Sequence, residues 1–135
     1  MKKYEFTGEV KLHLGRTLHR IRACVSFGIV EKGDEGGWIE KEENLSHDGN
    51  AWVYGNAHVY GDEIQHVADV CNITNQIYNI TITPKHINIG CQYHSRTAWF
   101  KFKDSEIEKM DGEQAVKWWK IWKPILKAIC DKDLC

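Results

Sequence analysis

No stretch of this sequence approaches the roughly 20 consecutive apolar residues that a membrane-spanning helix needs. The opening residues Met1-Lys2-Lys3-Tyr4-Glu5-Phe6 lead into no apolar segment of the secretory kind, so a cytoplasmic location is expected. Neither sign of charge is in excess. With 18 Lys and Arg against 19 Asp and Glu, the net charge is −1. That leaves no bulk attraction for duplex nucleic acid or a membrane surface, so any anion site must come from local clustering. Proline is scarce, at Pro84 and Pro124 only. The five cysteines, Cys24, Cys71, Cys91, Cys130 and Cys135, form no C-x-x-C pair, and their odd number favours reduced thiols.

Catalytic signatures are missing too. There is no P-loop, no Rossmann glycine pattern, no HExxH and no GxSxG. Cys91-Gln92-Tyr93-His94 has C-x-x-H spacing, but nothing else lies at ligand spacing to complete a zinc site. Cys91 is otherwise a small buried hydrophobe. The sequence therefore assigns no catalytic residue, metal or cofactor, and a non-enzymatic role is expected.

What is present is a short repeat. Gly49-Asn50-Ala51-Trp52-Val53-Tyr54 and Gly55-Asn56-Ala57-His58-Val59-Tyr60 match position by position, and Gly61-Asp62 begins a third hexad. A six-residue period with Gly-Asn at each corner is the signature of a hexapeptide β-helix. Gly and Asn tolerate positive φ, so each pair can turn a corner. Ala51, Val53, Ala57 and Val59 alternate and point inward.

Around the repeat, residues 4–30 read as β-structure broken at Gly15. On the strand Arg16-Thr17-Leu18-His19-Arg20-Ile21-Arg22, a period of two sets Arg16, Arg20 and Arg22 on one face with Leu18. Three guanidiniums on one face suit bidentate capture of phosphate or carboxylate. The alternative is a solvated edge strand whose charges discourage aggregation. Trp38, beside Gly36-Gly37, is an anchor at a close backbone approach. Ile80-Thr81-Ile82 and Ile87-Asn88-Ile89, joined by Thr83-Pro84-Lys85-His86, predict a β-hairpin with Ile80, Ile82, Ile87 and Ile89 on one face. Ser105-Glu106-Ile107-Glu108 is a capping box opening a short helix that breaks at Asp111-Gly112. A second helix follows. Its apolar face carries Trp118, Trp119, Ile121, Trp122, Ile125, Leu126 and Ile129, opposite a stripe of Lys117, Lys120, Lys123 and Lys127. The three tryptophans suit a core stripe, or an aromatic platform for a partner. The expected fold is α+β, with residues 1–70 a short β-helix-like, β-rich part and residues 71–135 a hairpin plus C-terminal helices. At 135 residues and 42% hydrophobic, the two parts suit one compact unit.

Phe6-Thr7-Gly8-Glu9, Gly15 to Ala23, and Gly36 to Ser46 run into the Gly-Asn-Ala hexads. Together they resemble small bacteriophage and prophage proteins with a hexapeptide β-helix. Ile89-Gly90-Cys91-Gln92-Tyr93-His94-Ser95, Trp99 and the Trp-rich helix resemble a C-terminal cassette of the same proteins. The resemblance covers nearly the whole chain, although the hexad array is short. It implies a phage accessory protein acting in the host cytoplasm, in a family without an assigned reaction.

With the arginines and the many aromatics, the expected role is to bind and sequester a small anionic ligand of cyclic-nucleotide type used in anti-phage defence. The ligand-binding candidates are Arg16, Arg20, Arg22, His94 and Arg96. Two alternatives stand beside it. One is an acyltransferase-like hexapeptide enzyme using His58 or His94. The other is a protein-binding module that inhibits a host protein through the Trp-Lys helix. Uncapped strand edges imply a homo-oligomer.

Overall fold

A computed structural model describes residues 2–74 and 77–132 of the chain. The chain divides into two compact units, Met1–Tyr93 and His94–Cys135.

The first unit begins with strands β1 (Tyr4–His13) and β2 (Arg16–Ala23), joined by a two-residue turn. Both turn residues have positive φ, Leu14 at 54° and Gly15 at 72°. This left-handed pair matches the twist of the strands it joins. Strand β3 (Glu35–Ile39) pairs antiparallel with β2, and the short β4 (His58–Val59) pairs parallel with β3, giving the order β1-β2-β3-β4. Cross-strand partners confirm the expected faces of β2. Arg20 lies opposite Trp38 and Arg22 opposite Glu5, while Ile21 lies opposite Phe6 on the other face.

A second four-stranded sheet has the order β5 (Cys71–Ile73), β6 (Ile80–Ile82), β7 (His86–Ile89) and β8 (Gln92–Ser95). Strands β6 and β7 are the predicted hairpin, with Ile80 opposite Ile89 and Ile82 opposite Ile87. All four isoleucines are buried.

The structure overturns the expected β-helix. Two four-stranded sheets and a C-terminal helical part are present, and no solenoid forms among the described residues. Only His58–Val59 of the two hexads is strand, although Leu45 and Ile64 add an isolated parallel bridge. A solenoid coil is stabilised by neighbouring coils stacked on it, and twelve residues of repeat supply none. The hexads serve instead as interior filling. Ala51, Trp52 and Val53 are buried in succession, as are Ala57, His58, Val59 and Tyr60. A strand with one solvated face would alternate.

The close approach comes from Gly36 and Gly37. A Cβ on Gly36 would lie 2.5 Å from the Val53 carbonyl oxygen, and one on Gly37 would lie 2.8 Å from that of Ala57. With no Cβ there, the Gly37 amide donates to Val53 O at 2.7 Å and the Trp38 amide to Ala57 O at 3.0 Å. The main core gathers Tyr4, Ile21, Ile39, Trp52, Val59 and Ile64 around this contact. Burying each such side chain contributes about 1.5–3 kcal/mol.

In the second unit, Ser95 caps α1 (Arg96–Lys101) by accepting from the Ala98 amide at 3.1 Å. Helix α2 (Asp104–Lys132) opens slightly earlier than the capping box suggested. The Lys103 amide donates to the Glu106 carboxylate at 3.1 Å, so Ser105 lies inside the first turn. The break at Asp111-Gly112 is present, with Gly112 at φ 75°. Trp118, Trp119 and Leu126 are buried, but Ile121 is 65% exposed and Ile125 is exposed too, so the apolar stripe is narrower than its sequence suggests. Trp119 packs with Trp99 at 5.4 Å between ring centroids, and Trp118 stacks on Trp122 at 5.6 Å. Among the described residues, no helix is long and apolar enough to cross a membrane. Cys71 is disulfide-bonded, which corrects the expectation of reduced thiols at that position; Cys24 and Cys91 carry free thiols, Cys91 exposed and not buried as expected, and Cys135 lies outside the described residues.

Candidate functional site

One face of the first sheet alternates cations with aromatic rings. Lys11 on β1 holds its ammonium 4.6 Å from the centre of the Trp38 ring, and the Arg20 guanidinium lies 5.9 Å from the same ring. Arg16, just past the β1–β2 turn, sits 5.6 Å from the Tyr60 ring and 5.8 Å from that of Tyr93. These distances allow cation–π attraction, worth about 0.5–1 kcal/mol at exposed sites. Leu18, Trp38 and Tyr60 form a small core beneath this face, with Tyr93 packed against it.

The same face carries carboxylates. Arg16 pairs with Glu40 at 3.3 Å, Arg20 with Glu9 at 3.1 Å and Arg22 with Glu5 at 2.8 Å. Each guanidinium has five donors and spends one or two of them here. Lys11 forms no ion pair among the described residues, and burial followed by the Arg20 charge holds its pKa below the ordinary lysine value against the opposing pull of Glu9. The residues expected from the sequence thus split into Arg16, Arg20 and Arg22 on one ion-paired face, and His94 and Arg96 in the second unit. His94 there makes edge contacts with Trp99 and Phe102, and burial lowers its pKa.

Beside Arg16 lies a histidine–tyrosine cluster that sequence reasoning missed. The Tyr60 hydroxyl is hydrogen-bonded to His13 Nδ1, and the His13 ring packs 4.5 Å from that of His58. His86 stacks on Tyr93 at 4.7 Å and bonds through Nδ1 to the Asp62 carboxylate at 2.9 Å. Burial pushes the Asp62 carboxyl up, but hydrogen bonds from Thr83, the Lys85 amide and His86 outweigh it and hold its pKa below the ordinary value. Asp62 therefore ties the third hexad corner to the β6–β7 turn. Its only sequence signal was its place after Gly61 in the repeat.

His58, the candidate base of the acyltransferase alternative, is 8% exposed. Its Nδ1 lies 3.4 Å from Asn88 Oδ1, and its Nε2 is buried without a partner. Burial first, then the charges of Lys11 and His13, lower its pKa to about 4, so it is neutral near pH 7.

Two hollows among the described residues of the first unit have the opposite character to the arginine face. One is lined by Lys2, Glu42, Glu43, His47 and Glu63 among others, and a neighbouring one by Asp48, Glu63 and His66. Glu42, Glu43 and Glu63 give the first an acidic lining, and Asp48 and Glu63 the second. Among the described residues, no group of three or more His, Cys, Asp or Glu side chains is arranged to hold a metal ion.

No family model, curated protein or solved structure matches the chain.

Proposed function

We propose that the chain is a non-enzymatic binding protein that sequesters a small anionic ligand of nucleotide type, held on the Lys11–Arg16–Arg20 face. The phage accessory role implied by the resemblance is part of this proposal. One observation carries it. On a single sheet face, three cations each lie within 6 Å of an aromatic ring, at Trp38, Tyr60 and Tyr93. Guanidinium and ammonium groups suit phosphate oxygens, and flanking rings suit a base. The carboxylates of Glu9 and Glu40 compete with an incoming phosphate, which implies moderate affinity and a strong salt dependence.

Calorimetric titration with cyclic nucleotides tests this. Arg16→Ala and Lys11→Ala are each expected to weaken binding about 10-fold or more, from about 1.5–3 kcal/mol per charged hydrogen bond. Arg20→Ala with Arg22→Ala weakens it further. Unchanged affinity in folded Arg16→Ala and Lys11→Ala proteins would rule the face out.

The carboxylate-lined hollows around Glu42, Glu43 and Glu63 favour a different partner, a basic segment of a host protein. Binding of a lysine-rich peptide that Glu43→Lys abolishes, together with indifference to nucleotides, would select that role instead.

A further inference from the structure

Strand β1 is the open edge of the first sheet, and among the described residues no other strand lies against its outer side. Such an edge presents unpaired backbone donors and acceptors to any chain that aligns with it. Most natural edges carry charge and little apolar surface. This one carries both, for Leu12 is 75% exposed, Val10 55% and Phe6 37%.

A bulge divides the edge. Phe6 lies opposite Ile21 and Val10 opposite His19, so residues 7–9 face the single residue Arg20. Gly8, at φ 94°, makes this bend without strain, and nothing stands within 4 Å of where its Cβ would be. Two regular segments remain, 4–6 and 10–13.

We propose that two copies of this chain associate edge to edge through β1, antiparallel about a two-fold axis at Gly8. Glu5 of each copy then faces Lys11 of the other, and Phe6 faces Val10. A two-fold axis perpendicular to the sheet matches each face with itself. Glu5 and Lys11 share the charged face, lying opposite Arg22 and Leu18 of β2. Phe6 and Val10 share the other, where Phe6 stacks on His19 and Val10 lies opposite it.

Charge selects this register. An axis at Lys11 or Glu9 sets that residue against its own copy, and like charges directly opposite are destabilising. An axis at Val10 brings each bulge against a regular segment of the other copy. At Gly8, regular segment meets regular segment and the bulges meet only at the axis. Each Lys11, which forms no ion pair among the described residues, then meets the partner copy's Glu5, which also holds Arg22 of its own chain at 2.8 Å. The closed two-fold contact also removes the open edge of both copies.

Sedimentation velocity of the full chain without ligand, over a concentration series, tests the dimer. The expected result is a dimer mass at high concentration. Lys11→Glu should weaken the dimer at least ~10-fold, and adding Glu5→Lys to it should restore association. Val10→Lys should also give monomers. If Lys11→Glu unfolds the chain, amide exchange of the unsubstituted protein at low and high concentration gives the same information, with protection across residues 4–12 growing as the dimer forms. A monomer at every concentration overturns the proposal. So does a dimer that Lys11→Glu and Val10→Lys leave intact, or whose β1 amides gain no protection. Because no ligand is present, these outcomes are independent of the nucleotide titration.

Discussion

Gly36 is the residue on which the closest approach in the first unit depends. Its missing Cβ leaves room for Val53 O, Trp52 and Ile21, all within 3 Å of that position. Backbone oxygen cannot move aside as a flexible side-chain end can. Gly36→Ala is therefore expected to cost about 1–3 kcal/mol through overpacking, read as a lower urea midpoint with unchanged m-value. Gly8→Ala meets no such wall and should cost less, through its φ of 94° alone.

His58 gives the largest part of the pH dependence, and His13 and His94, whose pKa values burial also lowers, add to it in the same direction. The His58 pKa falls from 6.5 unfolded to about 4 folded. The unfolded chain thus binds the proton more readily, and stability rises with pH between those values. Acidification from pH 6.5 to 4 should remove up to about 3 kcal/mol, at about 1.36 kcal/mol per pH unit. Asp62 acts in a lower window. Its depressed folded pKa gives stability that is present above 3.8 and lost as pH falls through the folded value. Urea midpoints measured from pH 7 to 4 should show the His58 slope, and a His58→Gln variant should lack most of it.

Among the elements, α2 was legible because its apolar spacing follows a 3.6-residue period and Asp111-Gly112 interrupts it. The depth of each tryptophan was not legible. Trp119 is buried beside Trp99 and Phe100, whereas Trp122 is half-buried on Trp118. Trp119→Ala should therefore cost about 3–5 kcal/mol, and Trp122→Ala less, both read by thermal melting. Ile121→Lys, at a site 65% exposed, should stay within about 0.5 kcal/mol of the parent. The hairpin was equally legible, because strict alternation around Pro84 admits one register that buries all four isoleucines. Strand β5 was not. Cys71-Asn72-Ile73 is too short for a pattern, and it becomes strand by pairing with Ile80–Ile82.

For the molecule as a whole, local sequence determined the β1–β2 turn, the faces of the arginine strand, the β6–β7 hairpin and the helix break. Each follows from period, turn chemistry or a glycine within a few residues. Tertiary structure alone decided what the hexads do. Two repeats have no further coils to stack on, so their backbone pairs with β3 and their side chains fill the core. It also decided the partners of the arginines, since Glu5, Glu9 and Glu40 come from other segments and meet Arg22, Arg20 and Arg16 only through sheet register. The His13–Tyr60 and Asp62–His86 contacts join residues 47 and 24 positions apart. No local pattern carries information over such separations, because side chains that far apart meet only after the intervening chain has packed.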